Sequence, residues 1–335
     1  MSGDWLTLLW LIVIAFAIFM YVLLDGFVLG TGILFSFVPR DEDRDTMMTS
    51  VAPIWDGNET WLVLGAGGLY AMFPLAYSIV LPALYLPFIV MLLGLVFRGV
   101  AFEFRFKART SRKIWDRAFQ WGSIVAAFAQ GIVLGAFVQG FELDGTRYVG
   151  GALGWLTPFG VMTGVALVAG YALLGSTWLV MKAPGELEDW ARRASRVLLL
   201  VVLALIAAIS IWVPFLENVI YERWFSLPNF YFLSQVPLAT VVTGLLLWRY
   251  TGRRKRHMPP FVLAMVLFAL GYAGLAISLW PNIVPHAIPY WQAAAARSSQ
   301  EFLLVGVLIT LPAVLFYTGY SYYVFRGKVT RSISY

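Results

Sequence analysis

The chain has 335 residues, of which 60% are hydrophobic, 16% aromatic and only 13% charged. A soluble domain carries roughly 25% charged residues, so a complete water-facing shell is excluded and lipid must serve as part of the solvent. The absence of cysteine excludes disulfides, thiolate nucleophiles and iron–sulfur ligation, and a net charge of +6 on such a chain reports orientation and anionic-lipid contact rather than nucleic-acid binding.

A membrane-crossing helix needs about 20 largely apolar residues. Nine stretches qualify: 5–36, 51–73, 77–102, 118–141, 153–181, 196–216, 230–250, 260–281 and 300–325. They are too long and continuous for barrel strands, and backbone groups in lipid must be satisfied within each segment, so each is read as a helix. Met1-Ser2-Gly3-Asp4 lacks the basic region and cleavage site of a signal peptide, so the first span is expected to be retained. The fold class expected is all-α and polytopic, a single integral membrane domain over 1–335. Its spans would form two four-helix bundles plus a peripheral helix.

Span 1 carries Asp25 in Tyr21-Val22-Leu23-Leu24-Asp25-Gly26-Phe27-Val28-Leu29-Gly30. An ionisable group inside a membrane costs at least ~2.5 kcal/mol on insertion scales and is a functional candidate by default. Gly26 and Gly30 make a small face for close helix approach. Because span 1 is longer than a bilayer requires, the depth of Asp25 stays open, between a buried carboxylate and an interfacial one.

Span 2 opens on Pro53-Ile54-Trp55-Asp56-Gly57-Asn58-Glu59-Thr60-Trp61. Pro53 suits a first helical turn. Asp56 and Glu59 share neighbouring parts of one face, with Asn58 and Thr60 offering hydrogen bonds nearby. Trp55 and Trp61 are expected at headgroup level. Complementing the helix dipole would suffice for Asp56 but explains the deeper Glu59 less well. Span 3 ends on Arg98-Gly99-Val100-Ala101-Phe102-Glu103-Phe104-Arg105. Spans 2 and 3 are antiparallel neighbours, and Arg98 and Asp56 lie about equally far from the same face at ~1.5 Å per residue. Arg98 could thus pair with Asp56 or Glu59, or snorkel to the headgroups.

Gln130 and Gln139 in span 4 read as interhelical glue. His257 and His286 fall in loops, so no span offers a histidine for haem ligation. Of the 24 Lys and Arg residues, 20 fall on one side, in the 1–2, 3–4, 5–6 and 7–8 connections and the tail, against 3 on the other. The positive-inside rule then puts the N-terminus in the periplasm and the C-terminus in the cytoplasm.

Leu24-Asp25-Gly26-Phe27-Val28-Leu29-Gly30, Trp55-Asp56-Gly57-Asn58-Glu59 and Arg98-Gly99-Val100-Ala101-Phe102-Glu103-Phe104-Arg105 together resemble subunit II of the cytochrome bd-type quinol oxidases. Their order and spacing match, and the brevity of the chain resembles the cyanide-insensitive branch. Val28 stands where that family often has a second Asp, which puts a proton role needing that carboxylate in question. The resemblance implies a bacterial inner-membrane complex that oxidises ubiquinol and reduces O2 to water. Haems b and d, or a b-type haem in place of d, would reside in a partner subunit I, with none ligated by this chain. A small single-helix subunit accompanies some such complexes, and a quinone is held structurally by subunit II in some members. The Asp matching Asp56 implies a proton path from the cytoplasm. Glu59 and Asp25 would extend it, while Arg98, Trp55, Asn58 and Glu103 would pair with or support the carboxylates. Two other classes fit the same features: a proton-coupled transporter, which should show interrupted helices meeting near the midplane, and a purely structural membrane subunit.

Overall fold

Thirty residues, apolar but for Asp25 and two threonines, form one helix, α1 (Trp5–Leu34), and the loop after it folds into a short charged helix, α2 (Asp41–Val51). The computed structural model describes residues 5–108 and 110–330; residues 1–4 and the basic residues Arg109 and Arg331 lie outside the described residues. The chain turns back through α3 (Trp55–Met72), α4 (Pro74–Lys107) and α5 (Arg112–Gln139). A hairpin of β1 (Leu143–Asp144) and β2 (Arg147–Tyr148) leads to α6 (Pro158–Lys182) and α7 (Gly185–Trp212). After α8 (Asn218–Phe225) and α9 (Asn229–Leu233) come α10 (Gln235–Thr251) and α11 (Met258–Leu279). A second hairpin, β3 (Asn282–Val284) and β4 (Ile288–Pro289), precedes α12 (Arg297–Val324).

Helices α1, α3, α4 and α5 form one bundle and α6, α7, α10 and α11 a second, joined where α6 lies against α1 and α5. Helix α12 is peripheral and touches α1 and α3. Eight helices among the described residues are long and apolar enough to cross a membrane. The ninth expected span, 51–73, is α3, whose 18 residues fall outside that set. Its Asp56, Asn58, Glu59 and four glycines dilute its apolarity, although ~27 Å of helix still approaches a hydrocarbon thickness. Pro53 does not open this helix as expected. It lies in the turn between α2 and α3, with Ile54 at the N-cap, so Asp56 is the second helical residue and Glu59 the fifth.

Close helix crossings explain the glycines. A Cβ on Gly30 would overlap the carbonyl of Tyr171 on α6, and one on Gly175 would overlap the Gly30 backbone. These two glycines let α1 and α6 meet backbone to backbone, with Phe27 stacked on Trp178 at a ring separation of 4.2 Å just beside them.

The charged connections meet one another at one end of the bundles. Arg40 pairs with Glu186 at 2.6 Å, Arg254 with Asp189 at 2.9 Å, and Val329 N–H donates to the Lys182 carbonyl at 2.9 Å. The α1–α3, α6–α7 and α10–α11 connections and the C-terminal tail therefore share one face.

Candidate functional site

Arg98 comes from the last third of α4, nine residues before its last residue, Lys107, and its side chain is fully buried. A buried guanidinium needs partners, and three helices supply them. Arg98 Nη1 donates to Asp25 Oδ1 of α1 at 2.5 Å, and Nη2 donates to Glu59 Oε1 of α3 at 2.5 Å. Asp25 is also wholly buried, whereas the Glu59 side chain keeps 26% of its surface exposed. Two carboxylates thus share one cation, and the ionised cluster holds one negative charge in excess. A proton is the smallest species that could neutralise it.

Aromatic and amide groups hold this triad. The Trp55 ring lies 5.8 Å from the Arg98 guanidinium and stacks on Phe102 of α4 at 4.9 Å and 11°. Asn58 is buried. Its Nδ2 donates to the Leu24 carbonyl at 2.9 Å, next to Asp25, and its Oδ1 accepts from the Tyr322 hydroxyl of α12 at 3.0 Å. A narrow crevice of about 20 Å³ reaches Asn58 from the shared charged end, between Pro53, Gly57 and Ser321.

Several expectations need correction. Arg98 does not snorkel; it is enclosed by α1, α3 and α4. Its partners are Asp25 and Glu59, and Asp56 faces outward, exposed and outside the triad. Both carboxylates lie at suitable depth, but rotation about the α3 axis turns only Glu59 toward α4. Glu103 supports no buried carboxylate. It is exposed and, among the described residues, pairs with Lys107, one turn on, at 3.8 Å. Trp61 is no headgroup anchor: it is buried in an edge contact with Phe16, 5.8 Å between ring centres, while Trp55 is half-buried beside Arg98.

A second ionic cluster was not singled out in the sequence. Arg105, 1% exposed, donates from Nε to Asp116 of α5 at 2.5 Å and from Nη1 to Asp45 of α2 at 2.7 Å, and Arg112 also pairs with Asp45. Asp45 lies outside the spans. Burial pushes its carboxyl up, but the hydrogen bonds from Arg112 and Arg105 outweigh this and hold it below the usual carboxylate range. Seven residues separate Arg98 from Arg105, nearly two turns, so both point from one face of α4. That spacing was the available signal.

The two histidines lie in loops at opposite ends of the bundles. His257 Nδ1 lies 3.0 Å from Glu188 at the charged end, and His286 Nε2 lies 2.9 Å from the Val138 carbonyl in the opposite loops. Among the described residues no group of three or more His, Cys, Asp or Glu could hold a metal ion.

Residues 6–325 match the family model of cytochrome bd terminal oxidase subunit II. The chain belongs to that family. It is 28% identical to cytochrome bd-I ubiquinol oxidase subunit 2 of Escherichia coli K12, covering 97% of this chain and 96% of that one. It is likewise 28% identical to cytochrome bd ubiquinol oxidase subunit 2 of Bacillus subtilis 168, over 96% of each chain. A chain of the bd oxidase of Geobacillus thermodenitrificans superposes with a TM-score of 0.74 at 18% identity, over 96% of this chain and 97% of that one, a likeness of fold. This subunit II is a multi-pass protein of the bacterial inner membrane. In it, Val28 is completely buried beside the α1–α6 crossing, where a second carboxylate would find an apolar setting.

Proposed function

We infer that this subunit II serves a complex that oxidises ubiquinol and reduces O2 to water, and that it contributes proton uptake from the cytoplasm. A haem-bearing subunit I would be its partner, with assembly and support of that partner as its second task. The observation that carries the proton reading is the sharing of one buried guanidinium by Asp25 and Glu59. With two carboxylates and one cation, taking up a single proton brings the cluster to neutrality. A single carboxylate paired to Arg98 would have no such capacity. Glu59 is the half-exposed member, and Asp56 stands three residues before it at the outer surface of α3. The order Asp56, Glu59, Asp25 therefore runs from surface to core.

The side of uptake rests on charge. The face shared by the charged connections carries most of the basic residues, which supports a cytoplasmic assignment and a periplasmic N-terminus. Helices α1, α3 and α4 run unbroken through the triad, which favours an oxidase subunit over a transporter built on interrupted helices. A purely structural role differs in its consequence. Complexes carrying Glu59→Gln or Asp56→Asn, with full haem content, should consume oxygen at least about tenfold more slowly if the carboxylates transfer protons. Unchanged turnover with both substitutions would leave the cluster a packing device only.

A further inference from the structure

The segment joining α7 to α10 takes no part in the triad or the charged face. Helix α7 starts among the charged connections and runs 28 residues away from them, so α8 and α9 lie at the opposite end of the bundle. From Tyr221 to Phe232 six of twelve residues are aromatic, and of these all but Trp224 are exposed. Charge in the stretch is confined to Glu222 and Arg223. Aromatic side chains gather in this way where hydrocarbon meets lipid headgroups.

Arg223 is fixed here against the end of α11. Its Nη1 donates to the Ile277 carbonyl at 2.7 Å and to the Trp280 carbonyl, and beside it Trp224 Nε1 donates to Ser278 Oγ at 2.9 Å. Capping those carbonyls occupies one nitrogen of the guanidinium. Among the described residues, Nε and Nη2 meet no acceptor and no carboxylate pairs with Arg223. Arg223, Asn229, Leu233, Ala276, Ile277 and Trp280 line an open groove of about 520 Å³, within the roughly 300–1,000 Å³ of small-molecule sites. The groove is divided in character. Arg223 and Asn229 are polar, whereas Leu233, Ala276 and Ile277 form an apolar wall. Glu217 and Glu222, the acidic residues nearest in sequence, are not among its lining residues.

We propose that this groove binds one anionic phospholipid from the leaflet away from the basic loops. Its phosphate would lie on Arg223 and Asn229, and an acyl chain would run along Leu233, Ala276 and Ile277. Nε and Nη2 form one edge of the guanidinium fork, the arrangement that meets two phosphate oxygens at once. A cation without a carboxylate, set beside apolar side chains, asks for a ligand that is anionic at one end and apolar at the other. A free phosphate would leave the apolar wall unused. A zwitterionic headgroup would bring an ammonium for which the groove offers no carboxylate. The aromatic residues around Arg223, with the exposed Trp280 ring, set it at headgroup level, so a lipid meeting it keeps its chains in hydrocarbon.

Native mass spectrometry of the intact complex, stripped of lipid in detergent and titrated with phosphatidylglycerol or phosphatidylcholine, tests the site. The parent should hold one phosphatidylglycerol in preference to phosphatidylcholine. Arg223→Gln should weaken that binding at least about tenfold, the effect of losing one charged hydrogen-bonding partner. Ala276→Trp fills the groove from an exposed position and should abolish the binding with Arg223 intact. Equal affinity for the two lipids, or phosphatidylglycerol binding unchanged in either variant, would overturn the proposal. So would a ubiquinone that the parent retains and Ala276→Trp alone releases. Should Arg223→Gln fail to assemble because the α11 carbonyls lose their cap, the Ala276→Trp titration decides alone.

Discussion

Arg98 is the residue on which the site turns. Removing one partner of a buried charge cluster strands the rest, typically at about 3–5 kcal/mol, because the remaining carboxylates lose their only compensating cation. Arg98→Met should therefore lower the thermal midpoint of the purified complex by a margin consistent with that loss, and a midpoint within a degree or two of the parent would show the cluster to be hydrated instead. The burden of Arg98 was legible in the sequence, since an arginine amid Leu95, Val96 and Phe97 needs a reason. Its partners were legible only in part. Depth along antiparallel helices placed Asp56 and Glu59 equally well, and the choice depends on rotation about the α3 axis. Asp25 was recognisable as a costly carboxylate, but span 1 exceeds the membrane thickness, so its depth followed only from packing. Gln130 was legible as interhelical glue, and it joins the Tyr21 hydroxyl of α1 to the Tyr171 hydroxyl of α6; its two partners were not, because neutral residues on separate helices share no spacing.

At the scale of the helix, the α1–α6 crossing sets the site by bringing Tyr171 and Gly175 against the turn that follows Asp25. Backbone contact cannot yield to a side chain, so Gly30→Leu should cost more than about 3 kcal/mol and reduce assembled complex in the membrane. Normal yields of haem-loaded complex would mean that the helices separate without loss. Helix α2 makes a different prediction, one of pH. The Asp45 carboxyl is held below its ordinary value of 3.8 in the folded chain by Arg112 and Arg105, against the opposing effect of burial. A lowered folded pKa contributes stability that is present above the unfolded value and lost as pH falls through the folded one. Acid should therefore weaken the α2–α4–α5 corner below about pH 4. Partial exposure of Asp45 makes the effect small. Asp45→Asn should flatten the acid limb of a thermal-midpoint profile; an unaltered limb would assign it to other groups. The glycine spacing announced close packing in the sequence, but not that α6 was the helix being approached. Short α2 was hidden because the segment 41–51 is polar and reads as loop.

Across the whole molecule, the buried ionic groups form a gradient of access. The face that gathers the basic loops is tied together by Arg40–Glu186, Arg254–Asp189 and the C-terminal tail, where Lys328 reaches Glu188 at 2.5 Å. Inward from that face come the exposed Asp56, the half-buried Glu59 and the enclosed Asp25, in that order. The helical, polytopic character and eight of the nine expected spans were legible because apolar runs of span length admit little else. Bundle membership and the peripheral place of α12 came from the structure, since uniformly apolar helices carry no sign of which neighbours they face. The central claim is that protons for oxygen reduction enter through the carboxylates gathered on Arg98. It is tested most directly by following proton uptake with a pH indicator on the basic-loop side of complexes oriented in liposomes, as reduced enzyme meets O2. With Glu59→Gln, uptake on that side should slow by at least about tenfold while haem content stays complete. Uptake at the parent rate would contradict the account.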